Sequence, residues 1–457
     1  MKSREDDSIR ALVKRYEQQR SNGLSQYFDV DEFDRIADYY LDRGRTNKFS
    51  EVVNSALRIH PNSTVIHLKR AILYMETGEP MKALQLLGRL PEQEETDFVR
   101  AAAYLKLKRK KEGLALLKDM VAREQYDKDL ACLEAVSVLS AENLYKEALD
   151  FVRLGLEHNP ENTDLMSEGA FCAEQLNDMP ASEHYYRMLL EVDVYSYENW
   201  FNLGQILFSQ ERFEEACKAY DFALVSNPGF MPAVLQMGHA CFQMEHYEDA
   251  AKFYLDYLLA AIEESLPSAE GNSIDDLMVF VGEAFEKAEH YESAIEWYEH
   301  ALTTNPGNLQ AYTGMGICYM ELKDYKQSLR YLEKAIKMDD KQAEIWVYLA
   351  EVLVDMDKNE QAIVAYLHAL SLDPSQAEVL FALGNLYYDQ QKFELALKYY
   401  SDAELLDATF PNIHLYKALA YARNGDMLQA DDALKLALLS DVHARELFNK
   451  IIGEEQK

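Results

Sequence analysis

Positive charge is scarce in this chain. Lysine and arginine number 46 against 79 aspartates and glutamates, a formal net charge of −33. A field of that sign repels nucleic-acid phosphates and anionic membrane surfaces, so basic or neutral partners are expected and nucleic acid is not. Cysteine is sparse as well: five residues, Cys132, Cys172, Cys217, Cys241 and Cys318, never spaced as CxxC. That excludes a disulfide framework and a thiolate zinc site, and points to small buried thiols in a reducing compartment. Long apolar runs are lacking. The most apolar stretch, Phe253 to Ile262, is broken by Asp256 and is too short to span a bilayer. The opening residues, Met1 to Asp7, are charged, with no apolar signal core behind them. A soluble, cytoplasmic protein without membrane insertion is the expectation.

Chemical motifs are missing too. No GxxxxGK[ST] loop, HExxH, HxE…CxxC or GxSxG elbow occurs. Asp29-Val30-Asp31-Glu32-Phe33-Asp34 superficially suggests a calcium loop, but it lacks the glycine at the sixth position and carries Phe33 at the fifth. His239 and His246 have no third ligand in phase, and carboxylates are too widespread for a catalytic pair to stand out. The expectation is no enzyme, no metal and no cofactor. Lys106, Lys108, Arg109, Lys110 and Lys111 form the one strong basic run, at a helix end where the dipole favours cations.

What the chain does have is a period. Gly204, Ala216, Tyr220, Ala223 and Pro228 recur as Gly238, Ala250 and Tyr254, 34 residues on. They recur again as Gly282, Ala294, Tyr298, Ala301 and Pro306 after ten extra residues. A fixed period of this length predicts a solenoid of stacked helical pairs. In the clearest unit, Trp200, Leu203, Gly204 and Leu207 share one face of a first helix. Ala216, Tyr220 and Ala223 share one face of a second, which Asn227-Pro228-Gly229 stops. Gly204 and Ala216 are expected to let the two axes approach, with Tyr220 and Trp200 filling the space between neighbouring pairs.

These residues resemble the tetratricopeptide repeat, whose large, Leu, small, aromatic, Ala, aromatic, Ala, Pro pattern they match offset by offset, apart from Leu207 at the first aromatic position. The resemblance is to a long protein built only of such repeats, of bacterial type. It implies an all-α, right-handed superhelical solenoid of antiparallel helix pairs, about twelve repeats with terminal capping helices.

Downstream units carry Tyr312, Gly316 and Ala335, then Trp346, Ala350, Ala362 and Tyr366, then Gly384, Ala396 and Tyr400, then Ala418 and Ala430. Upstream the match decays, and the spacing shortens by a few residues around Ala102. The expected organisation is an N-terminal capping helix in 1–26, divergent pairs in 27–161, and repeats in 162–265. An inserted loop, hinge or passive, follows in 266–273, then repeats in 274–441 and a C-terminal capping helix and tail in 442–457. Ser3-x-x-Asp6 and Ser273-x-x-Asp276 read as capping boxes. Ile9, Leu12, Val13 and Tyr16 form an apolar stripe, docked as a cap or free as a detachable partner-binding helix.

The resemblance implies a concave surface lined by the first helix of each pair. It places Phe201, Asn202, Gln205 and Phe208 there, then Leu235, Gln236, His239, Phe242 and Gln243, then Phe381, Asn385 and Tyr388, with Leu415, Tyr416 and Leu419 beyond. These aromatics either touch a ligand or pack on neighbouring repeats. Aromatic bodies supply apolar area at low entropy cost, and amides can pair with an extended backbone. Glu283, Glu286, Glu344, Glu351 and Glu378 add negative charge suited to Lys or Arg. The family's carboxylate clamp is not expected, since Phe201 stands where it needs Lys, and Leu235 and His239 are not fixed cations.

The expected function is a non-catalytic scaffold or adaptor holding a peptide segment or helix of one or more partner proteins through apolar or basic side chains. The alternative is a conformationally responsive regulator or peptide sensor without a DNA-binding domain. Self-association stays open, because the tyrosine-rich composition could supply an interface but fixes no symmetry.

Overall fold

A computed structural model describes residues 2–21, 27–91, 94–124, 127–264 and 273–454. Among these residues there are 26 helices and no strand. The chain divides into two compact units, Met1–Ser226 and Asn227–Lys457.

The first unit opens with α1 (Lys2–Ser21) and continues with six helix pairs. These are α2/α3 (Val30–Leu41, Thr46–Ile59), α4/α5 (Thr64–Glu76, Pro80–Leu87), α6/α7 (Glu94–Lys106, Lys110–Arg123), α8/α9 (Lys128–Ser140, Tyr145–His158), α10/α11 (Thr163–Gln175, Met179–Val192) and α12/α13 (Tyr197–Ser209, Phe213–Ser226). The second unit also has six pairs: α14/α15 (Met231–Gln243, Tyr247–Glu264), α16/α17 (Ile274–Lys287, Tyr291–Thr304), α18/α19 (Leu309–Glu321, Tyr325–Met338), α20/α21 (Ala343–Asp355, Asn359–Leu372), α22/α23 (Ala377–Asp389, Phe393–Leu406) and α24/α25 (Ile413–Arg423, Met427–Ser440). It closes with α26 (Ala444–Glu454). Each unit is an all-α stack of paired helices, the solenoid expected from the period.

The period is written into the backbone. Each of the twelve turns within a pair holds one residue at positive φ, from Gly44, Gly78 and Lys108 through Glu211 and Glu245 to Gln391 and Gly425. Such a residue ends a helix by turning the chain left-handed, so that the next amide reaches back to an orphan carbonyl. Arg212 N–H, for example, donates to the Leu207 carbonyl at 3.0 Å. Gly78 and Lys108 are 30 residues apart, which is the shortening expected near Ala102.

The space beside the small first-helix position is filled by a tyrosine of the same pair. A Cβ on Gly204 would lie 2.4 Å from Cε1 of Tyr220, and one on Gly238, Gly282 or Gly384 would meet Tyr254, Tyr298 or Tyr400 at 2.3–2.7 Å. The glycine therefore receives the edge of a tyrosine ring from its own pair, and the same ring also reaches the next pair, as Tyr254 meets Phe280 at 5.6 Å and Tyr400 meets Tyr416 at 6.0 Å. Trp200 also packs locally. Its ring stacks on Phe222 at 4.6 Å, and its Nε1 donates to the Val194 carbonyl at 2.8 Å.

Helix starts follow from capping. Asp29 accepts from Glu32 N–H at 2.8 Å while the Glu32 carboxylate accepts from Asp29 N–H at 3.2 Å, so the acidic run that superficially suggests a calcium loop is a capping box for α2. At the start of α16 the Asp276 carboxylate accepts from Ser273 N–H at 2.9 Å and from its hydroxyl at 2.6 Å, as the spacing predicts. The side chains of Ser3 and Asp6, and the inserted loop at 266–272, lie outside the described residues. The helix before that loop is over-long as expected, 18 residues in α15. Val13 and Tyr16 of α1 are buried against Phe28 and Phe33, and Ala444 and Phe448 of α26 against Leu415 and Leu434. Both terminal helices thus cover apolar ends of their stacks.

Successive pairs are also stapled by polar side chains. Asp275 accepts from the amides of Asn305 at 2.8 Å and Asn308 at 2.9 Å, and Asp129 accepts from Asn159 and Asn162 at 2.8 Å each. Asp275 and Asn308 are both buried. Asp275→Ala strands two amides and is expected to destabilise the second unit by about 1–3 kcal/mol, measured by urea unfolding. A loss below about 0.5 kcal/mol would show that the staple is solvated and contributes little.

Candidate functional site

The expected groove residues divide into three kinds once their surroundings are known. Gln205 and Gln243 are exposed and point away from the packing. Phe201, Asn202 and Phe208 in the first unit, and Gln236, His239, Phe242, Phe381, Asn385 and Tyr388 in the second, are half-buried. Leu235 is fully buried, and so nearly are Leu415 and Leu419. These three leucines face the core and cannot touch a ligand, which corrects the expectation. The turn of the helix carries them onto the packing side.

Most of the half-buried residues already have work within their own unit. Phe208 meets Phe213 edge-on at 5.1 Å, Phe242 meets Tyr247 at 5.2 Å, and Tyr388 meets Phe393 at 5.5 Å. Each aromatic thus leans on the first residue of the second helix, five positions downstream in every case. Phe201 leans on Tyr220, and Phe381 sits among Tyr400, Phe410 and Tyr416. Two polar members are partners of buried tyrosines: Nδ1 of His239 pairs with the Tyr254 hydroxyl, and Oδ1 of Asn385 accepts from the Tyr400 hydroxyl, both at 2.9 Å.

The acidic residues behave differently. In the second unit Glu283, Glu286 and Glu344 line a cleft of about 300 Å³, with Phe242 at its edge. Its walls come from α16, α18 and α20, and Tyr298 of α17 reaches it from behind. Glu351 and Glu378 do not line it. The only cation among its lining residues is Lys287.

Gly314 lines the cleft and leaves room there for the Tyr298 ring. A Cβ there would lie 2.3 Å from Cζ and 2.6 Å from the hydroxyl of Tyr298. Tyr298 is wedged between Gly282 and Gly314, which sends its hydroxyl to Oε2 of Glu286 at 2.8 Å. The Cys318 thiol also approaches Oε2, at 3.9 Å. Glu286 is 9% exposed, and burial raises its pKa against the hydrogen bond from Tyr298. Burial, then the neighbouring Glu286 charge, pushes Glu283 up to about 7, with Lys287 opposing. Burial and the charges of Glu344, Glu286 and Glu351 push Tyr348 up to about 12.

Two desolvated carboxylates thus share one lysine here, beside apolar walls from Leu309, Ile317 and Phe242. Sequence reasoning reached the acids but missed Gly314, Ile317 and Tyr348. One signal was available. At the corresponding point of other repeats stand Asn202, Gln236, Phe280, Tyr348, Ala382 and Tyr416, so Gly314 is the one place in that series with no side chain.

Among the described residues no group of three or more His, Cys, Asp or Glu is arranged to hold a metal, and no helix is long and apolar enough to cross a membrane. Family profiles match several stretches. One described as TPR repeat covers 350–390, and one described as tetratricopeptide repeat covers 173–229 and 381–440.

The chain carries tetratricopeptide repeats.

A third profile, described as anaphase-promoting complex, cyclosome, subunit 3, matches tetratricopeptide residues 287–369, which include the cleft-lining Leu309 to Tyr348. The human intraflagellar transport protein 88 homolog is 29% identical over 133 residues, 28% of this chain and 15% of that protein. The chain thus spans about 15% of the length of that curated relative. Among solved structures, a chain of the APC/C hetero-tetramer Cut9–Hcn1 is similar at 15% identity and TM-score 0.42, covering 98% of this chain and 94% of that one. A tetratricopeptide repeat protein from Parabacteroides merdae is similar at 17% identity and TM-score 0.46, covering 56% and 98%. The MamA protein is similar at 22% identity and TM-score 0.35, covering 38% and 94%.

Proposed function

We propose that this protein is a non-catalytic scaffold that binds a segment of a partner protein along the first helices of its second unit, anchored by one lysine or arginine side chain in the Glu283–Glu286–Glu344 cleft. The observation that carries this reading is the pair of desolvated carboxylates, Glu283 and Glu286, beside the hole left by Gly314. An incoming ammonium or guanidinium removes the mutual repulsion of the two acids, and its stem covers Ile317 and Leu309. Exposed Gln310 and Gln342 flank the cleft and offer amides to the segment's backbone. The match to a profile for a subunit of a multi-protein complex fits a scaffold role.

The test is a displayed-peptide selection against the full chain and against Glu283→Gln/Glu286→Gln. Enrichment of Lys or Arg at one anchor position is expected for the natural chain, and its loss in the double variant. No basic preference, or an equal preference in both, would overturn the anchor.

Binding should also depend on pH. The groups facing Glu283 are Glu286 and Lys287 on its own helix, Tyr254 from α15, and Tyr298 from α17. Its carboxyl, pushed up to about 7, is ionised at pH 8 and takes up a proton as pH falls. Selected peptides are therefore expected to bind about tenfold more weakly at pH 6 than at pH 8, with the dependence flattened in Glu283→Gln. The sign for stability is opposite. Because the folded pKa lies above the ordinary carboxylate value, this group's stabilisation is full below that value and is lost as pH rises through about 7. Glu283→Gln should raise the melting temperature at pH 8 while weakening the peptide.

A further inference from the structure

The strongest local run of positive charge is largely spent within the fold. Arg109 pairs with Glu112 at 2.7 Å, Lys110 with Glu147 at 2.5 Å, and Lys106 donates to the Met75 carbonyl at 3.2 Å. A less conspicuous set of cations gathers elsewhere in the first unit. Lys118 of α7, Lys128 at the start of α8 and Arg153 of α9 surround a cleft of about 440 Å³. Its floor is apolar: Val121 and Phe151 are almost fully buried, with Leu154 and Ala122 beside them. The cleft opens where α7 and α9, the second helices of successive pairs, flank α8.

Two carboxylates also reach it, Asp150 and Glu157. Asp150 faces Arg153 of its own helix at 3.7 Å. Among the described residues, Lys118 and Lys128 have no ion-pair partner. Lys118 and Lys128 thus stand beside an apolar floor with no carboxylate paired to them among the described residues. A lysine stem can lie along apolar surface while its ammonium stays in water, and both lysines line the cleft.

We propose that this cleft binds a small apolar carboxylate, an alkyl chain lying on Val121, Phe151 and Leu154 with its carboxylate held by Lys118 and Lys128. A cleft of about 440 Å³ has room for a small molecule. Small-molecule sites commonly enclose about 300–1,000 Å³, with apolar walls and a few charged groups that fix orientation. The charge decides for an anion, since three cations meet two carboxylates and one of those faces Arg153. The site is independent of the acidic cleft in the second unit.

The test is isothermal titration of the full chain with decanoate, below its micellar threshold, against decanol of the same chain length. Saturable binding of one decanoate per chain is expected, with decanol at least tenfold weaker. Lys118→Met/Lys128→Met keeps the stems and removes the charge, and should weaken decanoate at least tenfold while leaving decanol unchanged. Leu154→Asp should abolish both. Glu286→Gln should leave decanoate binding unaltered, which separates this site from the partner groove. Equal binding of decanol and decanoate, no saturable binding, or an undiminished affinity in the double methionine variant would overturn the proposal. So would an acidic peptide that displaces decanoate and binds more tightly.

Discussion

Tyr298→Ala is expected to destabilise the second unit by about 4 kcal/mol, the cost of deleting a fully buried aromatic and leaving its cavity. Tyr298 has no exposed surface and fills the gap between Gly282 on α16 and Gly314 on α18. Both facing positions are glycine, so neither supplies a side chain to fill that gap. A second cost comes from Glu286, whose buried carboxylate loses the hydroxyl that donates to it at 2.8 Å. Tyr298→Phe isolates this part: the ring stays, the donor goes, and the expected loss is about 1–3 kcal/mol. Stability in a repeat stack is nearly a sum of repeats and their nearest-neighbour interfaces. Hydrogen exchange should therefore quicken in α16, α17 and α18 while α2 and α3 keep their protection. Urea unfolding measures the total. A Tyr298→Ala chain within about 1 kcal/mol of the natural one would show that the two glycines do not clamp the ring.

Gly314→Ala is expected to cost about 1–3 kcal/mol and to abolish binding of a basic peptide. The added Cβ would lie 2.3 Å from the Tyr298 ring, so the ring must move. Overpacking of this kind outweighs the helix propensity of alanine, which favours the substitution by about 1 kcal/mol. The displaced ring then intrudes on the cleft and carries its hydroxyl away from Glu286. Gly384→Ala is the matched control. Its Cβ would meet Tyr400 at the same 2.3 Å, but Gly384 does not line the cleft. Similar losses of stability with peptide binding lost only at Gly314 are the expected result, read by urea unfolding and by titration with a selected peptide. Equal retention of binding in both variants would remove Gly314 from the site.

Much of the fold was legible in the residues because a period constrains every repeat in the same way. Helix ends, the over-long α15 and the capping box at Ser273 follow from local spacing alone. Contact partners were less legible. Periodicity shows that Gly204 must be small, yet the identity of what approaches it, the edge of Tyr220, depends on how the two helices cross. The groove was legible only in part. Leu235 shares its repeat position with half-buried Phe201, and a one-dimensional pattern cannot tell the two apart.

The sequence by itself determined that this chain is a stack of helical pairs, where each pair begins and ends, and which sign of charge its surface carries. Those properties rest on contacts within one repeat, and each repeat states them again. Only the tertiary structure decided which acids share one cleft and which cations share the other. Glu283 and Glu344 are 61 positions apart, and Lys118 and Arg153 are 35 apart. Their meeting depends on how successive pairs stack, and desolvation, which gives Glu283 its raised pKa, exists only once that stacking has excluded water.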